Sequence, residues 1–298
     1  MSSKLLLLLT AALWGFAFVA QRQGMVHLDP FTFNAIRFAL GALFIRFALF
    51  KSFKNKGPVL RLPGLVLFVA ASLQQIGIIY TSAGSAGFIT GLYVLFVPIL
   101  GFFLGQRSGL RLIISVALAV FGLYLLSSFA SAEVSFGNLL VLISAVFWAM
   151  HVQIVGKYSK RVPTAVLAFD QFAVCALLST VFALGVRIFM HPQASLSAAY
   201  FSNIGKTLWP ILYGGVMSAG IAYTLQIKAQ KKVEPGPAAV IMSLEGVFAM
   251  LGGYLLLKEP LTPRSILGAS ILLIAMLLVS MPKKNVDRKS HVNLTAQL

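Results

Sequence analysis

Long uninterrupted apolar runs, separated by short polar breaks, dominate the pattern of this chain. The longest run, from Leu62 to Gln106, contains no Asp, Glu, Lys or Arg in 45 residues. A helix needs about 20 apolar residues to cross the hydrocarbon core, so this run predicts two crossings joined by a turn between Thr81 and Gly87. The runs are continuous rather than alternating, which favours helices over a transmembrane barrel. The pattern therefore predicts an all-α integral membrane protein.

Ten such runs predict ten transmembrane helices, which we number spans 1 to 10. The first run, which begins at Lys4, has the features of a signal peptide, but we interpret it as span 1 because similar spans follow it. The longest connection, from His191 to Lys206, has the composition of a loop. The residues after Met281 are expected to form a polar basic tail, 282–298. The predicted bounds of the spans are 4–23, 31–50, 62–82, 86–106, 109–128, 137–157, 164–189, 206–228, 237–257 and 264–281.

Composition and charge fit this topology. The chain is 59% hydrophobic and 10% charged, with a mean hydropathy of +0.91 and a net charge of +17. If the N-terminus is cytoplasmic, 17 of the 24 Lys and Arg residues lie on the cytoplasmic face and 5 on the other, while Arg37 and Arg46 lie within a span. The positive-inside rule then predicts that both termini are cytoplasmic and that the protein lies in the cytoplasmic (inner) membrane of the cell. The basic charge is expected to contact anionic lipid head groups rather than nucleic acid. The single cysteine, Cys175, excludes an intrachain disulfide and a multi-cysteine metal site.

The two halves of the chain repeat each other. Trp14 and Trp148 each lie midway along the first span of their half, and Arg37 and Asp170 each follow a helix-opening proline by seven residues. Five spans per half is an odd number, so the second half enters the membrane upside down. We therefore predict two inverted five-helix repeats, 1–131 and 132–281. Inverted repeats are typical of transporters with a site near the midplane, although apolar repeats also arise by chance.

Four segments of the chain resemble one family, the EamA-type members of the drug/metabolite transporter superfamily. They run from Leu13 to Ala20, Tyr80 to Thr90, Ser243 to Ala249 and Leu257 to Pro263, and the resemblance spans residues 4–281. It implies a small-metabolite carrier with spans 1–4 and 6–9 around a central cavity and spans 5 and 10 outside it. One residue departs from the family pattern: Gly246 stands where a proline usually follows the glutamate of span 9, which makes a kink there less expected.

Ionisable residues inside a span are costly and usually face a cavity or each other. Glu245 lies in mid-span with no basic residue within two turns of its own helix, so it is a candidate to hold an amine or a proton, or else it only shapes span 9. Arg37 and Asp170 occupy matching repeat positions and are expected to form a structural or gating pair. There are two alternatives: either residue contacts the substrate, or the two side chains stay apart and extend to the membrane surface (snorkelling).

Aromatic and amide side chains supply the other candidates for a cavity wall. Aromatic residues near span ends are usually interfacial anchors, and a buried histidine usually makes a plain interhelical hydrogen bond. Gln21, Asn34, Gln171 and Gln226 are weaker polar candidates. The cavity candidates, together with Glu245, are Trp14, Gln74, Gln75, Tyr80, Tyr93, Trp148, His151 and Tyr223.

Enzyme signatures are missing from the sequence: there is no HExxH, GxGxxG or GxxxxGK[ST] motif, and the intramembrane carboxylates lie singly on different spans. We expect no cofactor and no metal. The sequence therefore predicts a secondary transporter of a small metabolite, such as an amino acid, an amine or a related organic solute, which works by alternating access as an exporter or exchanger. A channel or membrane scaffold, or an intramembrane enzyme, is the alternative.

Overall fold

The computed structural model describes residues 1–53, 60–126, 136–190, 198–258 and 260–281. These residues form helices joined by short connections, and none of them is in a strand. Nine helical stretches among them are long and apolar enough to cross a membrane, and a tenth, Leu110–Leu126, is shorter. The all-α membrane class predicted from the sequence is confirmed.

Each span ends within three residues of its predicted bound. The predicted tail 282–298 and the predicted boundary between the halves at residue 131 lie outside the described residues. The continuous spans are Ser3–Gly24 (span 1), Pro30–Ala48 (span 2), Arg61–Ile79 (span 3), Leu110–Leu126 (span 5), Phe136–Tyr158 (span 6), Thr164–Met190 (span 7) and Pro263–Ser280 (span 10). Span 4 consists of Ala83–Gly91 and Tyr93–Phe103, span 8 of Leu208–Leu212, Tyr213–Ala222 and Tyr223–Gln230, and span 9 of Pro235–Met242 and Glu245–Leu257.

Local sequence fixes where several spans begin. The Asp29 side chain accepts a hydrogen bond from Thr32 N at 2.9 Å just before Pro30 opens span 2. Ser82 accepts from Ser85 N at 3.1 Å at the start of span 4. These N-caps satisfy backbone donors that a helix terminus otherwise leaves unpaired, which matters most where little water is present. The turn after span 3 is therefore shorter than predicted, because Ala83 to Gly87 already belong to span 4.

The predicted loop before span 8 is partly wrong, because Ala198–Lys206 is helical. Its Tyr200 and Ile204 pack against a small apolar cluster of Leu28, Phe33 and Ile211. Polar residues on the other side of this short helix gave the segment the composition of a loop. Residues 191–197 of the predicted loop lie outside the described part of the chain.

The packing of the spans follows an inverted repeat. Spans 2 and 7, which are equivalent by position in their halves, pack against each other, and so do the equivalent spans 5 and 10. The contact of span 3 with span 6 has its counterpart in that of span 8 with span 1, and span 1 meets span 9 as span 6 meets span 4. Lys4 contacts the carbonyl of Ser280, so the start of span 1 and the end of span 10 lie on the same face, which we call the N-face.

Three spans depart from regular α-helix near the middle of the bundle. Span 4 is interrupted at Leu92 and span 9 at Ser243 and Leu244, where hydrogen bonds from residue i to i−3 tighten the chain. The break in span 9 forms although Gly246 replaces the usual proline. Span 8 contains a π-helix, Tyr213–Ala222, a wide form that is rare and often found at functional sites. Irregular backbone at this depth is tolerated where it is buried in protein or lines a cavity.

Candidate functional site

One central cavity lies where spans 1, 2, 3, 4, 6, 8 and 9 meet. Its volume is about 40 Å³, which is room for a few water molecules and far below the several hundred Å³ of a typical small-molecule site. The bundle is therefore contracted around the cavity in this conformation. The lining residues are Trp14, Phe18, Gln21, Arg37, Gln74, Thr90, Tyr93, Trp148, His151, Val152, Ser218, Tyr223, Gln226 and Glu245.

Tyr223 lies at the centre of the aromatic part of this cavity. Its ring centroid is 4.7 Å from that of Trp14, 6.3 Å from that of Trp148 and 5.8 Å from that of His151. Trp14 is held in place because its indole N–H donates to the Ser218 carbonyl at 3.3 Å, within the π-helix of span 8. The two repeat-related tryptophans thus face the same tyrosine. The resulting wall suits an apolar or cationic group.

Glu245 is the first residue of the second segment of span 9, immediately after the break. It is buried, with 3% of its surface exposed, and its Oε1 has no hydrogen-bond partner in the described structure. The helix N-terminus behind it carries a partial positive charge that favours a carboxylate at this point. Tyr93 occupies the same place in span 4, as the first residue of its second segment, and its hydroxyl interacts with the Glu245 side chain.

Arg37 reaches the same cavity from span 2. Its side chain is buried, with 3% exposed, and its guanidinium lies 4.6 Å from the ring centroid of Phe38 and 5.6 Å from that of Phe33. Its Nε has no hydrogen-bond partner in the described structure. Arginine keeps its proton in proteins, so a positive charge without an ion-pair partner among the described residues faces the cavity.

The expected pair between Arg37 and Asp170 is not formed. Asp170 is half-buried near the start of span 7, and its carboxylate accepts a hydrogen bond from the backbone N–H of Leu60 at 3.1 Å. The described residues contain one ion pair, between Arg187 and Asp29 at 3.2 Å. Matching repeat positions did not bring Arg37 and Asp170 together, because Asp170 caps the neighbouring span 3 and Arg37 points to the cavity.

Several polar atoms of the cavity wall lack a hydrogen-bond partner in the described structure. Buried polar groups in native proteins are nearly always paired with protein or ordered water, and these atoms are placed to bond to water or to a solute in the cavity. Five of the residues that carry these atoms were predicted as site residues from the sequence, and two were the weaker polar candidates. The atoms are Gln21 Oε1, Arg37 Nε, Tyr93 Oη, Trp148 Nε1, His151 Nδ1, Gln226 Oε1 and Nε2, and Glu245 Oε1.

The remaining predicted residues divide into two groups. Gln74 lines the cavity and donates to Thr90 at 2.8 Å, and His151 lines it while its Nε2 lies 2.9 Å from Gln171 Oε1. Gln75 does not line the cavity: it is fully buried and donates to the Gln21 carbonyl at 3.4 Å. Tyr80 is also outside, because span 3 ends at Ile79 and the side chain is 57% exposed beside Phe136.

Four lining residues were not among the sequence candidates: Phe18, Thr90, Val152 and Ser218. Apolar and hydroxyl side chains are common on all sides of membrane helices, so their type carries no signal for a cavity. Phe18 and Val152 lie four residues after Trp14 and Trp148 on the same helix faces, which is a spacing that could have indicated them.

Polar contacts join spans at both ends of the bundle. On the N-face side, Gln153 donates to the Val97 carbonyl at 2.7 Å and accepts from Gln106 at 2.7 Å, which ties span 6 to span 4. On the far side, Asp29 and Arg187 join spans 2 and 7, and Arg22 donates to the Ile78 carbonyl at 2.8 Å. These contacts join neighbouring spans on both sides of the cavity.

Comparison with known proteins gives consistent matches. A model of the EamA-like transporter family matches residues 1–128 and again residues 135–281. A protein of Archaeoglobus fulgidus named "Uncharacterized transporter" is 31% identical over 277 residues, 92% of this chain and 84% of that protein. "Uncharacterized transporter YoaV" of Bacillus subtilis is 21% identical over 274 residues, 87% of this chain and 90% of that protein. One protein crystal structure is 18% identical in sequence and matches with a TM-score of 0.74. The match covers 94% of this chain and 99% of that protein's chain, and it shows that the two share a fold.

Proposed function

Since the chain belongs to the EamA-like transporter family and is a multi-pass membrane transporter for a small molecule, we propose that it is a secondary transporter of a small organic solute. The solute is an amino acid, an amine or a related compound, and the protein acts as an exporter or exchanger in the cytoplasmic membrane. One observation carries the proposal: a central cavity lined by buried aromatic, amide and ionisable side chains lies beside the breaks of spans 4 and 9.

The proposed mechanism is alternating access, which the broken helices beside the cavity support. Broken helices in the two repeats of a transporter often form the binding site, and the repeats then rock around it. In this mechanism the cavity would open to one face when the contacts between spans on that side separate. The amide contacts of Gln153 would separate on the N-face side, and the ion pair between Asp29 and Arg187 on the far side. The absence of nucleotide-binding motifs from the sequence favours a gradient or exchange as the driving force.

Glu245 is proposed to hold the cationic group of the solute or the coupling proton. The titratable and charged groups that share its cavity are Tyr93 on span 4, Tyr223 on span 8, His151 on span 6 and Arg37 on span 2. If Glu245 carries the coupling proton, the transport rate depends on pH in the wild type. Glu245→Gln then removes that dependence while the protein still inserts and folds.

A counterflow assay tests the proposal. Purified protein in liposomes preloaded with unlabelled candidate solute should take up labelled solute in a saturable way. Binding can be followed separately, because two of the three tryptophans, Trp14 and Trp148, line the cavity. In a Trp209→Phe background, solute should change the remaining fluorescence, whereas Trp209 alone, 55% exposed at the start of span 8, should not respond.

Two other outcomes would assign the protein to another class. Flux that does not saturate and shows no counterflow would indicate a channel, and chemical conversion of the solute would indicate an enzyme. Orientation is a separate proposal that rests on the distribution of Lys and Arg: both termini are cytoplasmic. A reporter that fluoresces only in the cytoplasm should be active when fused to the C-terminus, and activity of a reporter specific to the opposite side would contradict it.

A further inference from the structure

An open groove lies between the second segment of span 4 and the start of span 5, in the N-face half of the bundle. Its volume is about 840 Å³, far larger than that of the central cavity. Because the chain spans a membrane, hydrocarbon rather than water meets the apolar wall of this groove. The large apolar side chains of the wall are Leu95, Ile99, Phe102, Phe103, Leu112 and Ile113.

The groove has the length of an acyl chain in one leaflet. Along span 4 it runs from Leu95 to Phe103, which is about 12 Å at a rise of about 1.5 Å per residue. One leaflet contributes about 15 Å of hydrocarbon, half of the membrane core. The groove therefore accommodates an acyl chain that enters at the N-face surface of the membrane and ends near the break of span 4.

A cation marks the N-face end of the groove. Arg107 follows the end of span 4, is exposed, and forms no ion pair among the described residues. Ser108 lies beside it, and none of the residues that line the groove is acidic. A guanidinium group binds phosphate oxygens well, through charge-assisted hydrogen bonds. The groove thus combines an apolar trough with a phosphate-binding end, as a phospholipid requires.

A second copy of this chain fits the groove less well. A two-fold axis along the membrane normal would bring the same surface of both copies together. Arg107 of one copy would then approach Arg107 of the other at the same depth, and like charges repel each other. A lipid with an anionic head group supplies the opposite charge instead.

We infer that the groove is a binding site for an anionic phospholipid of the leaflet at the N-face, with one acyl chain along span 4 and its phosphate on Arg107. Gln106 also lines the groove, and its side chain donates to Gln153 of span 6 at 2.7 Å. The bound lipid therefore packs against the residue that joins spans 4 and 6. The inference does not rest on the transport function, because lipid binding is measured without any solute.

Fluorescence quenching by brominated lipids measures occupancy of the groove. Ile99→Trp places an indole in the groove, and Ile274→Trp, exposed in the N-face half of span 10, is the matched control. Both are made in a Trp209→Phe background, reconstituted in phosphatidylcholine vesicles that contain increasing fractions of brominated phosphatidylglycerol or brominated phosphatidylcholine. We expect the anionic lipid to quench the Ile99→Trp protein at about a five- to tenfold lower fraction, the effect of one basic residue near the head group. The Ile274→Trp protein should show no such preference.

Removal of the cation tests the role of Arg107. Added to the Ile99→Trp protein, Arg107→Gln should bring the two lipids to within about twofold of each other, and Arg107→Lys should keep part of the preference. Arg161→Gln is the control, because Arg161 is also exposed at the N-face but lies outside the groove. Salt gives a second measurement without a change at Arg107, since higher ionic strength should reduce the preference of the Ile99→Trp protein.

Three results would overturn the inference. The first is equal quenching of the Ile99→Trp protein by both lipids at low salt. The second is an equal loss of preference in Arg107→Gln and Arg161→Gln, which would indicate general attraction of anionic lipid to the N-face. The third is weak quenching by either lipid together with a dimeric mass in detergent, which would indicate that a second copy covers the groove.

Discussion

Spans 4 and 9 are both broken beside the cavity, but their sequences break them differently. In span 4, Pro98 has no N–H for the carbonyl of Val94, so the turn that follows the break at Leu92 is weakened. Span 9 has no proline at its break: Ser243 donates its hydroxyl to the Val240 carbonyl at 2.9 Å, and Gly246 follows. Serine and glycine together are a known cause of helix kinks.

The two breaks also differ in what they present and in how firmly they are held. Span 4 presents the neutral hydroxyl of Tyr93 to the cavity, and span 9 presents the carboxylate of Glu245. A Cβ added to Gly15 of span 1 would lie only 2.6 Å from the Glu245 carbonyl, so the span 9 break lies directly against a neighbouring backbone. A Cβ on Gly91, next to the span 4 break, would meet the end of the Leu123 side chain at 3.0 Å. The comparison teaches that one architecture, used twice, can present a carboxyl group at one break and a neutral hydroxyl group at the other.

The largest expected effect tests the chemical difference between the breaks. Glu245→Gln should lower transport about a hundredfold, because it removes the carboxyl group that is proposed to hold the cationic group of the solute or the coupling proton. Tyr93→Phe should lower transport only a few-fold, since one neutral hydrogen bond contributes about 1 kcal/mol. Counterflow rates at equal protein insertion measure both. Glu234→Gln is the control for span 9, and equal losses in Glu245→Gln and Tyr93→Phe would remove the distinction between the two breaks.

The next effect tests how firmly each break is held. Gly15→Ala should lower the free energy of unfolding by about 1–3 kcal/mol, because the added methyl group meets backbone that cannot move aside. Gly91→Ala should change stability much less, since the end of the Leu123 side chain can rotate away. Thermal melting in the same detergent gives the order. A larger loss in Gly91→Ala than in Gly15→Ala would contradict the assignment of span 9 as the rigid member.

The smallest effect concerns the causes of the breaks. Pro98→Ala restores a backbone donor to span 4, and it should raise the melting temperature slightly while slowing transport a few-fold, because the straightened helix opens less readily. Ser243→Ala removes one side-chain hydrogen bond in span 9, and stability should change by less than about 1 kcal/mol. If both variants transport at the wild-type rate, neither residue causes a break that matters for transport.

The sequence predicted the spans well for a physical reason. A membrane helix must be long and apolar, and these two properties are visible in the residues themselves. The same rule indicated Glu245, Trp14 and Trp148, because a polar or bulky amphipathic residue in mid-span has a strong reason to face protein rather than lipid. All three line the cavity of the described structure.

The rotation of each helix about its axis was not predictable in the same way. Gln74 and Gln75 are neighbours, and only the structure shows that Gln74 faces the cavity while Gln75 faces the backbone of span 1. The pairing of Arg37 with Asp170 failed for the same reason, since repeat symmetry fixes which helices meet but not which side chains touch. Helix rotation is set by packing against neighbours, as in the contact of Gly15 with span 9.

The π-helix of span 8 has a consequence for movement within the bundle. A π turn holds one more residue than an α turn, so passage of the wide segment along the helix turns each residue it passes by about 100° and advances it by about 1.5 Å. In this way span 8 can rotate against its neighbours in steps of one residue, while its backbone hydrogen bonds are exchanged rather than lost. Ser218 and Tyr223 lie in this segment and at its end, so such a rotation would carry the wall of the cavity with it. Single cysteines placed from 216 to 222 should then change their labelling pattern between the two open states; an unchanging pattern would show that the wide segment stays in place.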